Sequence, residues 1–99
     1  MNPEQINVVT LAAGELMKGL LADVDGVHVE LTEPNSAGAR RIEIRHAASG
    51  YYERFGLSRY GVTSTEVDFG SKYRGADKVQ RKVKTAKNKA EAFIKAHVK

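Results

Sequence analysis

The stretch RRIEIRHAASGYYERFGL, Arg40 to Leu57, holds two runs of residues on either side of Ser49-Gly50. In the first run Ile42 and Ile44 point one way, and Arg41, Glu43 and Arg45 the other. That is the pattern of a half-buried strand. Ser49-Gly50 has the composition of a two-residue hairpin turn. With Ala48 paired to Tyr51, His46 opposes Glu53, Ile44 opposes Phe55 and Ile42 opposes Leu57. Two apolar pairs then share one face, as a sheet with one buried side requires.

The same alternation continues on both sides of this hairpin. Upstream, Val27, Val29 and Leu31 alternate with His28, Glu30 and Thr32, which predicts another half-buried strand before a Pro34–Gly38 loop. Downstream, Ser58 to Gly61 reads as a second turn. Thr65, Val67 and Phe69 then share one side of a fourth, weaker strand.

Helical periodicity flanks the strands. Asn2 is a good N-cap, Pro3 suits the first helical position, and Gln5 completes a capping box. Ile6, Val9, Ala13, Leu16, Met17, Leu20 and Leu21 fall on one face of that helix, which Asp23 to Gly26 ends. Gly14 and Gly19 each weaken the helix by about 1 kcal/mol relative to Ala and suggest close approach of another backbone. Val8 and Leu11 lie off the main face, where a homo-oligomer contact would fall. A last helix runs from about Lys78, with Asp77 as its cap. Val79, Val83, Ala86, Ala90, Phe93 and Ile94 form its apolar stripe.

The expected fold is α+β: an N-terminal helix, a three- to four-stranded antiparallel sheet and a C-terminal basic amphipathic helix. Both helices pack on one sheet face as a single domain over residues 1–99. Ile42, Ile44, Phe55, Leu57, Val83 and Phe93 are the expected core. With no cysteine, disulfides and thiolate metal sites are excluded. The opening residues lack a basic segment followed by an apolar run, and no apolar run approaches the roughly 18 residues of a membrane span. A cytoplasmic protein is expected.

Charge is distributed unevenly. Residues 1–70 carry six Lys/Arg and ten Asp/Glu, whereas residues 71–99 carry ten Lys/Arg and two Asp/Glu. From Lys78 to Ala90 there are six basic residues and no acidic one. A solvated helix face ordinarily mixes signs, because like charges at i, i+3 or i, i+4 repel by a few tenths of a kcal/mol. Here Lys78–Arg81, Lys78–Lys82, Arg81–Lys84 and Lys84–Lys87 are like-signed neighbours, and only Glu91, near Lys87 and Lys95, relieves the later part. Such a field suits the phosphate backbone of DNA or RNA, with lysine as point charge rather than base reader. The candidate binding residues are Lys72, Tyr73, Arg74, Lys78, Arg81, Lys82, Lys84, Lys87 and Lys89. Ser71 to Gly75 supplies a basic loop with an aromatic residue at the mouth of the helix.

The order of elements is similar to that of the double-stranded-RNA-binding domain, whose last helix also opens on lysines. The strand spacings differ and that family's motifs are not present, so the likeness is one of layout. Tyr52, Arg41, Arg45 and Arg54 share an outward face with Glu30, Glu43, Glu66 and Asp68, a mixture that points to cross-strand pairing. A membrane partner is not expected, because the sheet has first claim on the last helix's apolar face.

No motif of an enzyme is present, and His28, His46 and His97 come with no convergent set of ligands or catalytic groups. The sequence therefore predicts no catalytic residues, no metal and no cofactor. The leading expectation is a non-enzymatic nucleic-acid-binding domain of low sequence specificity. The alternative is a small protein-interaction or inhibitor module that binds an acidic protein surface, in the manner of a phage or mobile-element accessory protein.

Overall fold

Six elements follow one another: α1 (Pro3–Leu20), β1 (Val27–Leu31), β2 (Arg41–His46), β3 (Tyr51–Ser58), β4 (Gly61–Asp68) and α2 (Ala76–His97). The computed structural model describes residues 2–34, 39–58, 61–68 and 76–97, with the backbone alone at 58, 61, 63–68, 76 and 77. The strands form an antiparallel meander in the order β1-β2-β3-β4. Both helices lie on one face of it. Ile6, Ala13, Met17 and Leu21 of the first helical segment join Val83, Ala86, Ala90 and Ile94 of α2 over Ile42, Ile44, Phe55 and Leu57.

The capping box forms as the sequence predicts. The Asn2 side chain accepts from the Gln5 amide at 2.8 Å, and the Gln5 side chain accepts from the Asn2 amide at 3.0 Å. Thr10 joins the buried stripe because its hydroxyl donates to the Ile6 carbonyl at 2.7 Å, so no polar group is left bare. A Cβ on Gly14 would stand 2.7 Å from a Leu31 methyl, so the close approach at this position is to a side chain, not a backbone. A Cβ on Gly19 would meet nothing within 4 Å beyond its own helix, so no close approach explains that glycine.

The β2–β3 hairpin differs from the expected register by two residues. His46 pairs with Tyr51, Ile44 with Glu53 and Ile42 with Phe55. The loop is four residues, 47–50, rather than two. Its cause is Ser49, which is buried, lies 2.7 Å from His46 Nδ1 through its hydroxyl, and accepts from the Tyr51 amide at 3.2 Å. The chain winds one turn so that the Gly50 amide donates to the His46 carbonyl at 3.0 Å, and Gly50 takes φ +76°. That left-handed conformation suits glycine. A shift of two leaves every side chain on its expected face, so Ile42, Ile44, Phe55 and Leu57 are buried as predicted.

The fourth strand begins earlier than Thr65. It starts at Gly61 and pairs with β3 along its length. Arg54 partners Glu66 while Phe55 partners Ser64, which makes Thr65 the extra residue of a β-bulge. Phe69 lies outside the described residues.

Helix α2 begins at Ala76, so Asp77 falls in its first turn rather than at the cap. Phe93 is only half-buried: it sits at the margin of the apolar stripe, its ring centroid 4.3 Å from that of His97. Among the described residues no helix is long and apolar enough to cross a membrane.

On the uncovered sheet face charge pairing among the described residues gathers on Glu43, across to β3 as the alternation suggested, while Glu30 opposite it on β1 takes no part. Glu43 accepts from the Tyr52 hydroxyl at 2.6 Å and from Arg54 at 2.9 Å, with Arg45 at 3.6 Å. The Arg45 guanidinium lies over the Tyr52 ring, 4.9 Å from its centroid. The bond from Tyr52, with the bonds and charge of Arg54 and the charge of Arg45, holds the Glu43 carboxyl below its ordinary 4.5 despite the opposing push of burial. A lowered folded-state value adds stability above the unfolded value, and that contribution fades as pH falls through the folded one. Glu43→Gln should therefore lower stability at neutral pH and flatten its decline between about pH 5 and pH 3. Urea midpoints across that window test this; parallel curves for the two proteins would refute it.

Candidate anion-binding face

Apart from Lys87, the described lysines and arginine of α2 are exposed. At 100° per residue, Lys78, Arg81, Lys82, Thr85 and Lys89 fall on one exposed side of the helix, with Lys84 further round. The apolar positions Val83, Ala86, Ala90 and Ile94 are held against the core. That packing fixes which way the cations face.

Helix pairing adds a feature that no local pattern carries. Leu20 and Asp23, at the C-terminal end of α1, meet Arg81, Lys82, Thr85, Ala86 and Lys89 across a cleft of about 270 Å³. Lys82 Nζ lies 3.8 Å from Asp23 Oδ2, and both side chains are exposed, so the pair adds little stability. Asp23 thus offsets the charge of Lys82 at the cleft. The Thr85 hydroxyl donates back to the Arg81 carbonyl at 3.0 Å. Among the described residues, Lys78, Lys84 and Lys89 meet no carboxylate within ion-pair distance.

Lys87 stands apart from this row. Its side chain is 17% exposed and turns toward the sheet, where Nζ lies 2.6 Å from Glu53 Oε2 and 5.2 Å from the centre of the Phe55 ring. Glu91 stands 3.9 Å away, one turn on. Glu53 is itself buried on the core face, and its other oxygen accepts from the Tyr51 hydroxyl at 2.7 Å. Among the described residues Oε2 accepts no hydrogen bond of good geometry, and the nearby ammonium supplies its compensation. Burial, reinforced by the bond to Glu53, pushes the Tyr51 phenol well above its ordinary range. Lys87 thus pairs inward with Glu53, whereas Lys78, Arg81, Lys82, Lys84 and Lys89 are exposed. The sequence places Lys87 near the stripe margin but cannot show that Glu53 lies beneath it.

Lys72, Tyr73 and Arg74 lie outside the described residues. Val8 is 57% exposed and Leu11 half-buried, side by side on the outer flank of α1. The histidines are separated: His28 is exposed on the outer sheet face, His46 is buried against Ser49, and His97 is exposed beside Phe93.

Comparison with family models, with curated proteins and with solved structures gives no match in any of the three. The functional reading therefore stands on charge and geometry.

Proposed function

We propose that this chain is a non-enzymatic nucleic-acid-binding domain that grips the phosphate backbone through the outward side of α2, with little sequence preference. The observation that carries it is the row Lys78, Arg81, Lys82, Lys84 and Lys89, exposed on one rigid helix whose opposite side is core. A band of exposed cations, four of them lysines, attracts a chain of phosphates without demanding particular bases. The cleft favours a second reading. Its lining joins apolar Leu20 and Ala86 to Arg81, Lys82 and Lys89, which suits an acidic side chain of a protein partner.

Salt separates the two. Roughly four phosphate contacts on duplex DNA imply a slope of about −3.6 in log affinity against log salt. Replacing Arg81, Lys84 and Lys89 together by Gln should flatten that slope while leaving the fold intact, because all three are exposed. Titration of mixed-sequence DNA and RNA by fluorescence anisotropy measures it. No binding of either at low salt would sink the nucleic-acid reading, and an acidic protein partner lost by the triple variant would replace it.

A further inference from the structure

We infer that the free edge of β1 pairs with the same edge of a second copy of this chain, in antiparallel register about Val29. β1 ends the sheet, with β2 on one side only. The Thr32 amide donates to the Arg41 carbonyl. Antiparallel alternation then sends the backbone groups of Glu30 and His28 toward β2 and those of Val29 and Leu31 toward the open side. Val27, Val29 and Leu31 stay partly exposed, whereas Ile42 and Ile44 on the adjacent strand are fully buried.

The side chains of this edge are self-complementary. The strand VHVEL, run antiparallel against itself about Val29, sets His28 opposite the partner's Glu30 and Glu30 opposite the partner's His28. Val29 meets its own copy through paired backbone bonds. The His28–Glu30 positions become the close, non-hydrogen-bonded kind, with Cα atoms about 4.5 Å apart. An imidazole N–H donates to a carboxylate there.

Within one copy Glu30 is poorly placed. It sits directly opposite Glu43, and like charges in that position are destabilising. Glu43 is occupied by Arg54, Arg45 and Tyr52, and Glu30 has no cation within ion-pair distance among the described residues. A second copy supplies the missing donor.

The surroundings leave room. A groove of about 200 Å³ runs along this edge between Val27–Glu30 and the Lys18–Ala22 end of α1. The same flank of α1 carries Leu11 and, one turn before it, exposed Val8. The opposite edge, β4, contains the bulge at Thr65, a device that blunts edge pairing. Edge pairing at β1 makes no use of α2.

Sedimentation over a wide range of protein concentration tests the proposal. The parent chain should show a concentration-dependent dimer. Glu30→Lys should weaken it about tenfold or more, because both symmetric cross pairs lose the carboxylate that accepts from His28. Adding His28→Glu to Glu30→Lys should restore it with the charges exchanged. Amide exchange supplies an independent readout: the Val29 and Leu31 amides should gain protection as concentration rises. A chain that stays monomeric up to millimolar concentration overturns the proposal. So does a dimer that Glu30→Lys leaves unchanged, or protection gained only on adding an extended peptide from another protein.

Discussion

Lys87→Met should destabilise the fold by about 3–5 kcal/mol, the cost of leaving a buried charge without its partner. The charge in question is Glu53, whose side chain is 8% exposed and whose Oε2 has, among the described residues, the Lys87 ammonium at 2.6 Å to compensate it. Met keeps the length and apolar stem of lysine, so lost packing adds little. Adding Glu53→Gln should recover most of the loss, because Gln still offers an acceptor to the Tyr51 hydroxyl and carries no charge. Replacing both partners of a buried ion pair is often neutral, unlike replacing one. Urea unfolding of the parent, the single variant and the double variant measures the cycle. A loss under about 1 kcal/mol for Lys87→Met would place the pair in effectively solvated surroundings.

Phe55→Ala should cost a similar amount, about 3–5 kcal/mol, through lost apolar transfer and the cavity left behind. Phe55 is the largest of the fully buried side chains and stands opposite Ile42 at the centre of the sheet. The ring also lies beneath the Lys87 ammonium, so the cavity would open next to a charge. Phe93→Ala should cost clearly less, since that ring is half-exposed. Thermal and urea unfolding of both variants tests the ranking. Equal losses would mean that α2 packs more deeply than the half-exposure of Phe93 indicates.

Most of the architecture was legible because it is written in short-range patterns. Period two marks β1 and β2, the Ser49-Gly50 turn with Phe55 and Leu57 marks β3, and period 3.6 marks both helices. Asn2, Pro3 and Gln5 spelled out a cap that forms atom for atom. The differences arise where a long-range contact or an irregularity overrides or breaks the local pattern. Ser49 looked like a turn residue and is one, but its buried bond to His46 lengthens the loop and moves the register. β4 was underestimated because the bulge at Thr65 breaks the alternation that identifies a strand. The cationic row was visible in the sequence, while its cleft was not, since Leu20 and Asp23 join Arg81 and Lys89 only when the helices pack. Lys87 was counted with its neighbours because nothing local reveals a carboxylate on a strand beneath it.

The meander has a kinetic consequence. Every strand lies beside its neighbour in the chain, and only residues 47–50 separate β2 from β3. Closing such loops costs little entropy, so the sheet can assemble from hairpins without long searches. Almost all the sequence distance in the molecule is spanned in one step, when residues 3–20 meet residues 76–97. Chain topology therefore predicts that α1 docks against α2 late in assembly, once the sheet stands.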